Sequence, residues 1–307
     1  MCIVAIAWQL FDELPLVLLS NRDEFLQRPT EPLHQWSDQP IYAGRDKQSG
    51  GTWLGIHQQV SPAQSAEYYE QNGRWAAVLN FRDGVQASSD ERSRGALVTE
   101  FLTGTLSPMD FARQIDLQDY AGFNLIIGDT AQAVIVNNRG HAPTPLYSGL
   151  HVISNGQPED SWFKTERLRG RLRQEVLPLI AEDCTPAYWQ AAAFNVLSDS
   201  TKAPEDKLPV TGVAFEVEQM LSSVYIEPVA FEVEQMLSSV YIEPVAFEVE
   251  QMLSSVYIEP VAFGDTETSK PTYGTRTQSI LTLRKESDAD CIANMISREF
   301  GNHNRNH

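Results

Sequence analysis

Residues 1–8 read Met-Cys-Ile-Val-Ala-Ile-Ala-Trp, and residues 16–25 read Leu-Val-Leu-Leu-Ser-Asn-Arg-Asp-Glu-Phe. Short apolar runs of this kind are typical of buried β-strands. We therefore predict one strand in the first stretch and a second over Leu16 to Ser20. If the two form an antiparallel hairpin, the end of the second lies beside the start of the first, which brings Asn21 to Glu24 close to Cys2.

The first 160 residues alternate short apolar runs with polar turns, which indicates a β-rich half interrupted by helices. The predicted strands are Cys2 to Trp8, Leu16 to Ser20, Thr52 to His57, Trp75 to Phe81, Phe123 to Gly128, Ala133 to Asn137 and Val152 to Ser154. The predicted helices are Ser93 to Thr103, Ser107 to Ile115 and Ser161 to Val176. We interpret the basic residues of the last helix as a solvated face, with an anion site as the alternative. They are Lys164, Arg167, Arg169, Arg171 and Arg173.

Residues 213–260 are three identical copies of a 16-residue unit, Val-Ala-Phe-Glu-Val-Glu-Gln-Met-Leu-Ser-Ser-Val-Tyr-Ile-Glu-Pro, and Val261 begins a fourth. The apolar residues of a unit fall on one face of a helix, which the terminal proline would end. We therefore predict a triplicated amphipathic helix inserted in the domain, with one copy docked on the rest. Because even the surface residues are identical, duplication, engineering or a sequence-assembly error is favoured over a solenoid.

Two polar segments interrupt or end this pattern. Residues 58–73 lie between two predicted strands where a short turn would suffice, and they are interpreted as an insertion or a lid. Residues 301–307 are polar and are expected to form a disordered tail.

The charge of the chain restricts its partners. Its 307 residues include 23 Lys+Arg and 41 Asp+Glu, a net charge of -18, which would repel a nucleic-acid backbone or an anionic bilayer. No apolar stretch approaches the roughly 20 residues of a membrane helix, and the first residues lack the basic start of a signal peptide. The three cysteines form no CxxC pair and the six histidines have no metal-binding spacing. We expect a cytoplasmic protein with no metal, no membrane span and no nucleic-acid partner.

Cys2 is the principal candidate for chemistry. Its small side chain would permit removal of Met1, which leaves a thiol and a free α-amino group on one residue. An α-amine with a pKa of about 8 can act as general base for a thiol with a pKa of about 8.5. The alternative is a small buried residue at the start of a strand.

The polar residues that follow the second predicted strand could complete this site. Arg22 would favour the thiolate, and Asp23 or Glu24 could orient the arginine or hold the α-ammonium group. Asn21 could donate to an oxyanion. The alternative is a charged turn without a chemical role.

Further polar residues recur at the ends of other predicted strands. Asn80 and Asn155 are candidate oxyanion donors, because an amide supplies two N–H groups without losing a proton. Asn124 follows Gly122-Phe123, and Arg276 ends the sequence Tyr273-Gly274-Thr275-Arg276. Each of these sites could equally be a simple turn.

The order of the polar motifs resembles the NRDE family, of the transport and Golgi organisation type. The matching motifs are Met1-Cys2, Asn21-Arg22-Asp23-Glu24-Phe25, Ala43-Gly44-Arg45-Asp46, Gly50-Gly51-Thr52-Trp53-Leu54-Gly55, Asn80-Phe81-Arg82-Asp83, Ser93-Arg94-Gly95, Gly122-Phe123-Asn124-Leu125, Ser154-Asn155 and Tyr273-Gly274-Thr275-Arg276. This family resembles N-terminal-nucleophile hydrolases. The resemblance implies an α+β fold, a four-layer αββα sandwich, formed as a single domain over 1–307 with the repeats inserted in it.

The resemblance also implies roles for the candidate residues. Cys2 would be the nucleophile, with Arg22 and Asp23 beside it, and Asn80 and Asn155 would bind the oxyanion or the substrate. The substrate-binding residues would be Asn21, Glu24, Asn124 and Arg276.

Two hypotheses for the function follow. The first is a cysteine-dependent hydrolase or acyltransferase acting on a small-molecule amide through an acyl-thioester, as wider relatives cleave amides of bile salts or penicillins. The second is a non-catalytic protein that binds or transports haem or an acyl lipid, since eukaryotic members are linked to haem trafficking and lipid metabolism. No cofactor is expected, and haem would be a transported ligand. An interaction scaffold built on the repeat helices ranks last.

Overall fold

The computed structural model describes residues 2–58, 73–85, 88, 90–230, 272–286 and 291–300. The predicted insertion at 58–73, apart from its end residues, lies outside the described residues. So do the second and third repeat copies, apart from Val229 and Ala230, and the predicted tail at 301–307. Within the described ranges, no helix is long and apolar enough to cross a membrane.

The described strands form two antiparallel sheets, which confirms the mixed α+β class. In chain order they are β1 (Cys2–Trp8), β2 (Leu16–Phe25), β3 (Thr30–Gln35), β4 (Ile41–Asp46), β5 (Leu54–His57), β6 (Trp75–Asn80), β7 (Phe123–Gly128), β8 (Ala133–Asn137), β9 (Thr144–Pro145), β10 (Gly149–Ile153), β11 (Val229–Ala230), β12 (Thr272–Lys285) and β13 (Cys291–Glu299). The first sheet has the order β10-β1-β2-β12-β11, with β13 also paired to β12. The second sheet runs β3-β4-β5-β6-β7-β8-β9.

Strand β2 is longer than predicted. The prediction that it ends at Ser20 and is followed by a polar turn is wrong, because the strand continues through Phe25 and all of its residues are buried. Leu16 to Arg22 are paired on both sides, with β1 and with β12, and Asp23 to Phe25 are paired with β12. Tyr273 to Arg276 lie within the first residues of β12, where a bulge interrupts the pairing between Thr275 and Thr277.

The described α-helices are α1 (Arg94–Thr103), α2 (Pro108–Gln114), α3 (Phe163–Arg171), α4 (Leu177–Ala181), α5 (Pro186–Leu197) and α6 (Phe215–Met220). The three helices predicted before residue 177 agree with the structure over most of their length, whereas α4 and α5 were not predicted. A π-helical segment, Leu172–Val176, joins α3 to α4. The hydroxyls of Ser93 and Ser107 accept backbone N–H bonds at the starts of α1 and α2, as N-cap residues do.

Alternating side chains place the two faces of β1 in different apolar clusters. Val4, Ile6 and Trp8 belong to a cluster that also contains residues of the second sheet, where Trp8 and Trp75 have ring centroids 6.1 Å apart. Ile3 and Ala5 belong to a cluster with residues of α3 and α5. A third cluster packs the second sheet against α1 and α2.

The first repeat copy docks on the domain, as predicted. Val217 and Leu221 are buried against Phe25 and Tyr273. The predicted helix is too long, however, because α6 ends at Met220, well before the proline of the copy. The backbone N–H of Tyr225 instead donates to Asp199, so the end of the copy is held by the domain and not by helical bonds.

Candidate functional site

The pairing of β1 with β2 creates the candidate site. Cys2 lies directly opposite Arg22, so the two side chains share the face that points toward the second sheet. The predicted approach of the polar end of β2 to Cys2 is therefore confirmed. The Cys2 side chain is almost wholly buried, with 7% of its surface exposed.

A narrow cleft with a cavity volume of about 40 Å³ lies at Cys2. Its walls come from both sheets, from the loop before β5 and from the first residues of α1. Besides Cys2, the lining residues are Arg22, Asp23, Glu24, Asp46, Ser49, Thr52, Trp53, Val78, Asn80, Ser93, Arg94 and Gly95. Most of these lining residues are polar or charged, so the cleft is polar in character.

A cluster of buried ion pairs forms one side of the cleft. The Asp46 carboxylate lies 2.6 Å from Nε of Arg28 and 3.2 Å from Nη2 of Arg22. Glu24 lies 3.5 Å from Arg22 and 3.8 Å from Arg28. The Arg22 guanidinium also stacks 4.4 Å from the ring centroid of Trp53, which fixes its orientation beside Cys2.

The protonation of Cys2 reflects opposing effects. Burial raises the pKa of the Cys2 thiol, while the positive charge of the chain terminus, Arg22 and a hydrogen bond from the backbone N–H of Asp23 act to lower it. Arg22 therefore acts in the predicted direction but is outweighed by burial. Burial also raises the pKa of Asp23, against the charges of the terminus and Lys164. The net rise in the pKa of Cys2 favours the protonated thiol, so a reaction at Cys2 calls for a base.

Five of the predicted residues are brought together in the cleft: Cys2, Arg22, Asp23, Glu24 and Asn80. Asn80 is only half-buried, and its side-chain amide makes no hydrogen bond to any described residue. The amide is therefore free to donate to a ligand.

Asn21 and Asn124 do not line the cleft. Asn21 faces the helices, where its Nδ2 donates to the backbone oxygens of Leu197 and Val224, each at 2.8 Å. Nδ2 of Asn124 donates to the backbone oxygens of Ser154 and Gly156. Because both amide hydrogens of each residue are used inside the fold, the structure gives these two asparagines a supporting position.

Arg276 and Asn155 also lie outside the lining of the cleft. Arg276 donates to the backbone oxygens of Phe25 and Leu26 and so holds the end of β2. Asn155 is fully buried, and its Nδ2 donates to the backbone oxygen of Asn80 at 2.9 Å. Asn155 thus positions a cleft residue without reaching the cleft.

The sequence did not point to Lys164 as a site residue. Its prediction as part of a solvated helix face is wrong, because Lys164 is 2% exposed and its ammonium group donates to Oδ1 of Asn155 at 3.3 Å. Oγ of Ser154 lies within hydrogen-bonding distance of both that oxygen and the backbone oxygen of Cys2. Burial, reinforced by the charge of Arg82, lowers the pKa of Lys164 to about 8.

We expect Lys164→Met to alter the pH dependence of stability. The unfolded lysine binds a proton up to about pH 10.5 but the buried one only to about pH 8, so wild-type stability should rise between these values. The variant should lack this rise and be about 1–3 kcal/mol more stable at pH 7. Urea unfolding at pH 7, 8.5 and 10 measures both effects. An unchanged pH profile in the variant would contradict the buried position of the ammonium group.

Several other residues of the cleft were missed as site residues. Asp46, Trp53 and Arg94 lie in motifs that supported the family resemblance, but the sequence assigned them no role. The signal that could have identified them as site residues was a charged or aromatic side chain inside a motif that matches the family. Their convergence depends on strand pairing over long sequence distances, which spacing alone does not give.

Comparison with known proteins identifies the family of this chain. Residues 1–297 match the family described as Transport and Golgi organisation 2. The chain is 34% identical over 161 residues to the transport and Golgi organization protein 2 homolog of Homo sapiens, covering 48% of this chain and 53% of the human protein. It is 29% identical over 143 residues to the transport and Golgi organization protein 2 of Drosophila melanogaster, covering 43% of this chain and 47% of the fly protein.

A longer match of 26% identity over 262 residues links the chain to an uncharacterized protein of Saccharomyces cerevisiae, covering 74% and 78% of the two chains. The chain spans about half the length of the human and fly relatives it matches. The family match nevertheless runs through nearly all of the described elements. On this basis the chain belongs to the transport and Golgi organisation 2 family.

Proposed function

We propose that the protein is a cysteine-dependent hydrolase or acyltransferase that acts on a small-molecule amide through Cys2. The observation that carries this proposal is the position of Cys2 in a polar cleft, directly opposite Arg22. The side-chain amide of Asn80, which makes no hydrogen bond to a described residue, lines the same cleft. A thiol, a neighbouring cation and an amide donor are the groups that acyl transfer requires.

We also propose that the fold is a four-layer αββα sandwich of the N-terminal-nucleophile type, formed as a single domain. The three apolar clusters support this arrangement, because one combines the two sheets and the other two combine each sheet with helices. In such a fold the nucleophile lies at the start of the first strand, as Cys2 does on β1.

In the proposed reaction, removal of Met1 exposes the α-amino group of Cys2. This amine takes the thiol proton as Sγ bonds to the carbonyl carbon of the substrate. Negative charge then develops on the carbonyl oxygen, where Nδ2 of Asn80 is the proposed donor. The C–N bond breaks, and the departing amine takes the proton from the α-amino group, which leaves an acyl-thioester on Cys2.

Water or an acceptor amine completes the reaction. The α-amine takes a proton from the attacking molecule as its oxygen or nitrogen bonds to the thioester carbon, and the thiolate leaves and is reprotonated. Attack by water gives a carboxylic acid, and attack by an amine gives a new amide. The charges of Arg22 and Arg94 favour the thiolate as leaving group.

The test is intact-protein mass spectrometry after incubation with an electrophilic β-lactone. The wild-type protein should lack Met1 and gain one adduct, which peptide mapping places on Cys2. Cys2→Ala should gain no adduct, whereas Cys184→Ala, the control for a less buried cysteine, should react like wild type. Retained Met1, or an adduct that persists in Cys2→Ala, would overturn the proposal.

The alternative, a non-catalytic carrier of haem or an acyl lipid, stays a prediction. No contact in the described cleft favours it, because its walls are mostly charged or polar. A carrier should keep much of its ligand affinity in Cys2→Ala, so the same variant separates the two hypotheses.

A further inference from the structure

Arg94 is a buried cation at the cleft that the ion-pair cluster does not neutralise. Its side chain is about one-twentieth exposed, and its Nη1 donates to the backbone oxygen of Gly122 at 2.5 Å. Nε is buried with no hydrogen-bond partner. Among the described residues, no carboxylate lies within ion-pairing distance of its guanidinium group.

The neighbouring arginines differ from Arg94 in this respect. Arg22 and Arg28 share two carboxylates, Glu24 and Asp46, at distances of 2.6–3.8 Å. These two cations and two anions balance one another. Arg94 receives only longer-range attraction, from Glu24, Glu91 and Cys2, and burial outweighs it and lowers the pKa of Arg94 to about 10. A buried, unpaired cation is costly, so its retention beside Cys2 indicates a ligand with the opposite charge.

The start of α1 adds a second positive element. Ser93, Arg94 and Gly95 all line the cleft, and the first turn of the helix contains no acidic residue. The partial positive charge of a helix N-terminus favours anions. The backbone of Thr52 packs directly against this turn, because a Cβ on Gly95 would come within 3.1 Å of the Thr52 nitrogen. The turn therefore lies in close contact with the loop before β5 at the cleft wall.

We propose that Arg94 and the first turn of α1 bind an anionic oxygen group of the substrate, a carboxylate or a phosphate, beside Cys2. This inference deepens the proposed function by naming the substrate class: an amide that carries an acidic group near the bond to be cleaved. The inference rests on the proposed function in one respect: the first measurement below needs a reactive Cys2, whereas the second does not.

The test compares two alkylating reagents of nearly equal size, iodoacetate with a carboxylate and neutral iodoacetamide. In both, the Cys2 sulfur bonds to the methylene carbon, iodide leaves and the thiol proton passes to the buffer. The measured quantity is the ratio of the iodoacetate rate to the iodoacetamide rate at Cys2, divided by the same ratio for N-acetylcysteine. We expect this preference to be about 10-fold or more in wild type, the usual effect of a charge-assisted hydrogen bond.

Arg94→Gln keeps a donor for Gly122 but loses the charge, and it should reduce the preference to about one. Arg113→Gln removes the same charge from an exposed position on α2 and should keep the wild-type preference. If Arg94→Gln slows both reagents equally, Arg94 only stabilises the thiolate and the proposal is wrong. Competition by acetate or by inorganic phosphate then shows which anion the site prefers.

A second measurement does not depend on Cys2 chemistry. Sodium acetate or phosphate, compared with chloride at equal ionic strength, should raise the melting temperature of wild type and Arg113→Gln but not of Arg94→Gln. If Cys2 fails to react with either reagent while this shift is present, the proposed nucleophile fails and the anion site stands. Equal shifts in all three proteins would overturn the anion site.

Discussion

Replacing Arg82 with methionine should lower the free energy of unfolding by about 3–5 kcal/mol. Nη2 of Arg82 lies 2.9 Å from Oε2 of Glu218, in the first repeat copy, and both side chains are almost completely buried. The Arg82 guanidinium also stacks 4.7 Å from the ring centroid of Trp162. Methionine would remove the cation, and the Glu218 carboxylate would stay buried without its arginine partner.

Urea unfolding of the Arg82→Met variant measures this effect, with the exposed substitution Arg113→Met as the control. The double variant Arg82→Met/Glu218→Met should recover most of the lost stability, because no buried charge is then left alone. A loss below about 1 kcal/mol in the single variant would show that this contact contributes no more than a surface ion pair.

Asp46→Asn should cost a similar amount, about 3–5 kcal/mol at pH 7. The substitution leaves Arg22 and Arg28 with Glu24 as their remaining carboxylate, and it weakens the contact that Oδ2 of Asp46 makes at 2.6 Å with Arg28. Oδ1 of Asp46 also accepts the backbone N–H groups of Gln48 and Ser49. The substitution therefore affects both the ion cluster and the turn after β4.

Asp38→Asn is the matched control for this variant. Asp38 makes a two-point ion pair with Arg45 at 2.8 and 2.9 Å, but both side chains are substantially exposed. The loss in the free energy of unfolding should therefore stay below about 1 kcal/mol. Equal losses for the two variants would contradict the importance of burial in the cleft cluster.

The effect of Asp46→Asn should also depend on pH. Burial alone would raise the Asp46 pKa, but the charges of Arg28 and Arg22 and the hydrogen bonds outweigh it and hold the pKa below its ordinary value. The stability that Asp46 contributes is therefore present above about pH 4 and is lost as the pH falls through the lower native pKa. The difference between wild type and variant should shrink toward pH 2.

The sequence predicted the elements whose signal is local. The bounds of β1, β7 and β8 agree to the residue, because continuous apolar runs bounded by polar residues mark them. It missed β3, β4, β9, β11, β12 and β13 and the polar half of β2. The polar half of β2 is a strand because of its partner: Asp23 pairs with Thr275, which is remote in the chain. Polar residues with no apolar alternation carry no local sign of such pairing.

The candidate site was predictable where it depends on local sequence signals and was missed where it depends on contacts between distant parts of the chain. The hairpin geometry of β1 and β2 placed Arg22, Asp23 and Glu24 beside Cys2. Because the strand was predicted to end at Ser20, the alternation of strand side chains was not extended to Asn21, which was expected in a pocket that it does not enter. Nor could the hairpin geometry show that Arg94 reaches the cleft, since α1 belongs to the packing on the second sheet.

The central position of β12 in the first sheet also bears on how the protein is made. One edge of β2 pairs with β12, and contacts such as that of Asp23 with Thr275 join residues 252 positions apart. At about 5–20 residues per second, the ribosome needs roughly 10–50 s to supply that partner. Until then β2 has an open edge that other chains can pair with. The same interval leaves the start of β1 accessible to an aminopeptidase, so the removal of Met1 required by the proposed mechanism belongs to the period of synthesis, before Cys2 is enclosed.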